Sequence, residues 1–158
     1  MIVGLGVDLC DVERIRRVLE GPAGARFRER VFTPAEQAYC EARRRGRFAS
    51  YAARFAAKEA AMKALGTGWG GGVGWRDFEV LPAADGPPRL VLHGKAAEAA
   101  LRRSMTRWLV ALSHTAAGAV AAVVAEDGTR LKGGRGGATV RGRGVAAGPG
   151  RRRPRGRR

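Results

Sequence analysis

A chain of 158 residues, 45% of them hydrophobic, is long enough to bury one ordinary core, and 30 Lys and Arg against 14 Asp and Glu give it a formal charge of +16. That balance excludes an acidic scaffold and directs attention to anionic partners. Residues 132–158 hold ten basic residues and no acidic one, so residues 1–131 carry only +6.

Met1 to Leu9 (MIVGLGVDL) has the β-branched and glycine content of a short buried strand whose backbone is closely approached, with Asp8 at its end. From Asp11 onward, Val12, Ile15, Val18 and Leu19 have helical spacing, acidic residues occupy the first turn, and Gly21-Pro22 stops the run. Residues 27–32 form an arginine-rich amphipathic piece. Thr33-Pro34-Ala35-Glu36 then carries a capping Thr, a first-turn Pro and a Glu three residues after Thr, predicting a helix to about Arg45.

The strongest helix signal is Ser50 to Leu65, rich in alanine and closed by Gly66. After a glycine-rich loop over 66–74, the segments 78–81 and 89–92 flank Asp85-Gly86-Pro87-Pro88 and read as a hairpin. A short helix over 94–104 follows. The runs 108–113 and 117–125 then predict an antiparallel pair separated by His114-Thr115.

Strand, helices, hairpin, helix and strands in that order indicate an α+β domain over residues 1–131. The Gly/Arg-rich residues 132–158 cannot bury enough apolar area to offset chain entropy, and a disordered tail is expected there. Cys10 and Cys40 form no CxxC pair and have no closely spaced His, which argues against a structural metal site. No apolar run is long enough to span a bilayer and the N-terminus has no leader pattern, so a cytoplasmic location is expected.

Asp8 and Glu59 are oddly placed for surface charges. If the fold joined them, a cation between them would relieve their repulsion, and magnesium takes a few carboxylates plus substrate phosphates. The plainer alternative, favoured by the residues alone, is that Asp8 caps the next helix and Glu59 pairs with Lys63 at i+4.

Lys58, Lys63 and Gly66-Thr67-Gly68 could cradle phosphate, although these glycines follow a helix and do not precede one, unlike a Walker loop. His114 could donate to phosphate or simply hydrogen-bond within a turn. Arg14, Arg16, Arg17, Arg26, Arg28 and Arg30, interleaved with Val18 and Phe27, form a basic face suited to an acidic protein, or a solvated face. A nucleic-acid-binding protein is the main competing class. It is argued against by the scarcity of aromatics interleaved with the basic residues of residues 1–131.

IVGLGVDLCDVERIRR, RFAAKEAAMKALGTG and WLVALSHTAAGAVAAVVAE, in that order, resemble three motifs of the holo-acyl-carrier-protein synthases, over essentially all of residues 1–127. The resemblance implies the 4'-phosphopantetheinyl transferase-like fold, a small antiparallel sheet packed with helices, in a homotrimer with active sites between subunits. It implies that Asp8 and Glu59 bind magnesium and that Lys63 meets the coenzyme A pyrophosphate and the leaving 3',5'-ADP. Arg54, Lys58, Gly66, Gly68 and His114 would line the nucleotide site, and Arg14, Arg26, Arg30 and Phe27 would meet the acyl carrier protein. Glu59 or a magnesium-bound water would take the serine proton. Residues 128–158 have no counterpart in that family; any contact with nucleic acid is expected to be nonspecific and through the tail.

Overall fold

The computed structural model describes residues 1–68, 72–83 and 86–128, so the predicted tail over 132–158 lies outside the described residues. β1 (Ile2–Asp11) opens the chain, followed by α1 (Val12–Glu20), α2 (Gly24–Val31), α3 (Pro34–Ala42) and the long α4 (Arg47–Leu65). The hairpin β2 (Phe78–Leu81) and β3 (Arg89–Leu92), the helix α5 (Gly94–Arg102), and the strands β4 (Arg107–His114) and β5 (Gly118–Glu126) complete it. The strand and helix order is the one expected, and the class is α+β.

β5 lies between β1 and β4 in a three-stranded antiparallel sheet, and β2 and β3 form a separate antiparallel pair. α4 packs along β1 and β5. Its alanines at 52, 53, 56, 57, 60, 61 and 64 are buried, and small side chains are what allow a helix to lie this close to a sheet. Gly4 and Gly6 answer them from β1: a Cβ on Gly6 would lie 1.9 Å from the Ala60 carbonyl oxygen, and one on Gly4 would lie 2.4 Å from that of Ala64.

Asp11 is the N-cap of α1, its carboxylate accepting the Arg14 backbone N–H at 2.6 Å. The capping reading offered for Asp8 thus belongs to Asp11. Thr33 and Glu36 form the predicted capping box of α3. That helix stops at Ala42, short of Arg45, because the backbone at Arg44 turns left-handed at φ 46° and cannot continue it. A 3₁₀ turn over Arg44–Gly46 redirects the chain into α4, which ends on Gly66 at φ 72°.

The sheet face away from α4 is apolar and bare. Leu5, Val7 and Leu9 are 65%, 52% and 72% exposed, and they pair with Val124, Ala122 and Val120 of β5; Leu109 of β4 continues the same face.

Candidate active site

Residues 4, 6, 8 and 10 share one face of β1, the face laid against α4. With Gly4 at Ala64 and Gly6 at Ala60, the next residue on that face, Asp8, falls beside the middle of the helix. There Lys63 Nζ donates to Asp8 Oδ1 at 2.8 Å and to the Val7 carbonyl at 3.1 Å, a contact between residues 55 apart in sequence. Asp8 is 19% exposed and Lys63 53%, so the cluster is open to solvent on one side.

The hydrogen bond from Lys63 to Asp8 raises the lysine pKa, and the charges of Asp8 and of Glu59 add to the rise. Both carboxylates also act on Cys10, whose thiol is pushed up to about 11, chiefly by burial and against the opposing charge of Arg14. Asp8 and Glu59 therefore share one electrostatic neighbourhood with Lys63 in it. Hard carboxylate oxygens suit magnesium, which needs few protein ligands when phosphate oxygens supply the rest. Among the described residues no group of three or more His, Cys, Asp or Glu gathers as a metal centre, so a bound ion would rely on that sharing.

Gly66 caps α4 three residues after Lys63, its N–H bonded to the carbonyls of Met62 and Lys63 at 3.0 and 3.1 Å. Gly68 follows, exposed. Between them the Thr67 hydroxyl oxygen is buried without a hydrogen-bond partner, an unused polar group in the predicted phosphate cradle.

His114 lies on β4, across β5 from β1, with Ala119 between it and Cys10. It ends β4 and lines three clefts: one of about 350 Å³ with Arg43, Ser50 and Arg54, one of about 470 Å³ with Arg45, Phe48 and Thr115, and one of about 200 Å³ with Leu9, Ser113 and Val120. Arg54 is 3% exposed, its guanidinium stacked 3.9 Å over the Tyr39 ring; one nitrogen donates to the Ser50 carbonyl at 3.3 Å and Nε has no partner. A buried guanidinium with a donor to spare fits an anionic ligand. Arg43 and Arg45 were not among the expected site residues. Their signal was the run Arg43-Arg44-Arg45 before Gly46, overlooked as a helix end. None of the three includes Asp8, Glu59 or Lys63, although Leu9, next to Asp8 in β1, borders the third.

Lys58 is a correction. Its ammonium is 0% exposed and bonded to the Glu36 carboxylate at 2.8 Å, to the Trp75 carbonyl at 3.1 Å and to the Phe78 carbonyl. A group enclosed by three acceptors cannot line the nucleotide site. The arginine run also divides. Arg16 is held by Glu13 and Glu20, and Arg28 by Glu41, whereas Arg14, Arg26 and Arg30 are exposed and make no ion pair among the described residues. Phe27 is only partly available, packing against Phe32 and Phe55 at centroid distances of 6.2 and 6.1 Å.

The profile of the 4'-phosphopantetheinyl transferase superfamily matches residues 4–124. The chain belongs to this superfamily. A curated "Holo-[acyl-carrier-protein] synthase" of Solibacter usitatus is 50% identical over 127 residues, covering 80% of this chain and all of that relative. A crystal structure of holo-[acyl-carrier-protein] synthase from Neisseria meningitidis has 32% identity and a TM-score of 0.71, covering 80% of this chain and 99% of that one. The Bacillus anthracis holo-(acyl-carrier-protein) synthase solved with CoA (3',5'-ADP) has 34% identity and a TM-score of 0.64, covering 79% and 96%. The phosphopantetheinyl transferase domain is thus a transferase of the holo-[acyl-carrier-protein] synthase type, and none of its described helices is long and apolar enough to cross a membrane.

Proposed function

We propose that this phosphopantetheinyl transferase moves the 4'-phosphopantetheine arm of coenzyme A onto a serine of an apo acyl carrier protein, in the cytoplasm, as a magnesium-dependent homotrimer serving fatty-acid or polyketide synthesis. The observation that carries the site assignment is the Asp8–Lys63 contact with Glu59 acting on the same lysine. Asp8 and Glu59 would hold the magnesium, which when bound supplies charge to the pyrophosphate and draws electron density from the attacked phosphorus.

Lys63 is the group of this chain that meets the developing charge. Its raised pKa keeps it cationic at neutral pH, and two of its three N–H donors are spent on Asp8 and Val7, leaving one for a phosphate oxygen of the departing 3',5'-ADP. Glu59 can accept the proton of the carrier serine. Gly66, Thr67 and Gly68 border the pyrophosphate, with the unpaired Thr67 hydroxyl as its donor. Arg54 and His114, with Arg43 and Arg45 beside them, take the nucleotide phosphate, and Arg14, Arg26 and Arg30 face the acidic carrier, with Phe27 at their margin.

The bare apolar face of the sheet supports assembly, because a monomer would leave it wet. None of the clefts lined by His114 contains Asp8, Glu59 or Lys63, which supports sites completed between copies.

Incubation with coenzyme A, magnesium and apo carrier protein tests the reading by mass spectrometry. The expected product is a carrier heavier by ~340 Da, the mass transferred when the pyrophosphate bond is cleaved. No adduct on any carrier of a fatty-acid and polyketide panel would refute it. Elution of the folded domain as a monomer at assay concentration would refute the trimer.

A further inference from the structure

Arg103 is the C-cap residue of α5, and two backbone hydrogen bonds close the turn that presents it: the Ser104 N–H donates to the Leu101 carbonyl at 3.0 Å and the Met105 N–H to the Ala100 carbonyl at 2.9 Å. Ser104 has a left-handed backbone at φ 57° and Met105 is buried, so this end of the helix is anchored. From there the side chain crosses to α4. Arg103 Nη1 lies 3.4 Å from the position that a Cβ on Gly66 would occupy. It therefore stands at the end of α4, against the glycine that opens the Gly66-Thr67-Gly68 stretch three residues after Lys63.

The neighbouring arginines are otherwise engaged. Arg102 reaches Glu98 at 4.0 Å and Arg107 holds Glu126 at 2.9 Å, whereas Arg103 is exposed and its guanidinium makes no ion pair or hydrogen bond among the described residues. The helix dipole favours a cation at the carbonyl end of α4, which is a sufficient reason for a charge there. It makes no use of the five N–H donors, whose planar fork matches phosphate oxygens. The Thr67 hydroxyl oxygen, buried without a partner, is a second unused polar group next to Gly66.

We propose that Arg103 is a further binding residue for coenzyme A, donating to the pyrophosphate beside Gly66 and then to the 5'-phosphate of the departing 3',5'-ADP. The assignment rests on the transfer reading above, in which the pyrophosphate borders Gly66. Cleavage leaves that phosphate with one more negative charge, so a guanidinium in contact with it binds the product side of the reaction more strongly than the substrate.

The test compares R103Q, R103K and wild type with R102Q, which removes the same charge one residue away. In R103Q kcat/KM for coenzyme A should fall about tenfold, as expected for one charge-assisted hydrogen bond at an open site, and R103K should recover part of it. KM for the carrier protein, and kcat/KM of R102Q, should stay within about twofold of wild type. Dephospho-coenzyme A keeps the pyrophosphate and lacks the 3'-phosphate, so it should show the same ratio between R103Q and wild type. By calorimetry R103Q should bind 3',5'-ADP about tenfold more weakly. A folded R103Q with wild-type kcat/KM, whatever its melting temperature, would leave Arg103 as a cap of α4 and overturn the proposal. So would a defect that vanishes with dephospho-coenzyme A, one confined to the carrier protein, an equal fall in R102Q, or failure of both R103Q and R103K to fold. If wild type itself transfers nothing, the transfer reading fails and the 3',5'-ADP titration alone decides Arg103: equal affinity in wild type and R103Q, or no binding to wild type, would overturn it.

Discussion

Gly6→Ala is the most direct test of how the site is assembled. The added Cβ would sit 1.9 Å from the Ala60 carbonyl oxygen, 2.8 Å from the Ala64 nitrogen and 2.9 Å from the Ala60 carbonyl carbon. All three are backbone atoms of one helix, so no rotamer change relieves the overlap. β1 must move away from α4 by more than an ångström, or the helix must shift. Overpacking of this kind costs about 3 kcal/mol, which for a domain of this size lowers Tm by roughly 10 °C. The effect on transfer should be larger than the loss of folded protein. Asp8 lies two residues further along the same strand face, and a displacement of about 1 Å at a reacting centre costs on the order of a hundredfold.

Gly46→Ala is the matched control, since a Cβ there meets only the Arg43 Cβ at 3.9 Å and the backbone at φ −89° accepts any residue. Thermal melting compares the two variants, and the adduct assay at 25 °C, below the melting range, compares G6A with wild type. A G6A protein with wild-type Tm and turnover would refute the claim that the strand–helix contact sets the position of Asp8.

Asp8→Asn should lower turnover by about a hundredfold to a thousandfold while leaving the melting temperature nearly unchanged, because the Asp8–Lys63 pair opens to solvent through the 53% exposed lysine; magnesium titration of the transfer rate would check it. Arg14→Ala should raise KM for the carrier about threefold at low salt and Arg16→Ala should not, since Arg16 is already held by Glu13 and Glu20. Glu79 supplies a pH prediction. Burial would raise its pKa, but hydrogen bonds from Thr33 and His93 outweigh burial and lower it. A lowered folded-state value contributes stability that is present above the unfolded pKa of about 4.3 and disappears as pH falls through the folded value. The urea midpoint of wild type should therefore fall more steeply below about pH 4.5 than that of E79Q, and parallel profiles would contradict it.

Much of the fold was legible because its signals are local. The Thr33–Glu36 capping box, the Gly66 stop and the alanine-rich stretch between them each act within a few residues, and β2 and β3 have the predicted bounds. The end of α3 was not legible, since nothing in Arg43-Arg44-Arg45 announces a left-handed backbone at the middle arginine. The role of Gly4 and Gly6 was half legible: two glycines in an apolar strand imply close approach, but the partner is a helix more than fifty residues away.

The site shows the same division more sharply. Sequence alone groups Lys58 and Lys63 with Gly66-Thr67-Gly68 as one phosphate-holding cluster. At about 100° per residue, five positions separate them by roughly 140° around the helix, so they cannot share a face. Lys63 falls in phase with Phe55 and Glu59 and reaches Asp8 at the solvent side. Lys58 falls in phase with Arg54, Met62 and Leu65, all buried, and is carried into the core where Glu36 receives it. The helical phase alone rules out a common cluster; which of the two faces meets β1 and which meets α3 is set by packing partners distant in sequence. Spacing alone favours the ordinary i+4 pairing of Glu59 with Lys63 and says nothing of Asp8. The contact between β1 and α4 adds Asp8, because it brings that carboxylate within 2.8 Å of the Lys63 ammonium while Glu59 still acts on it.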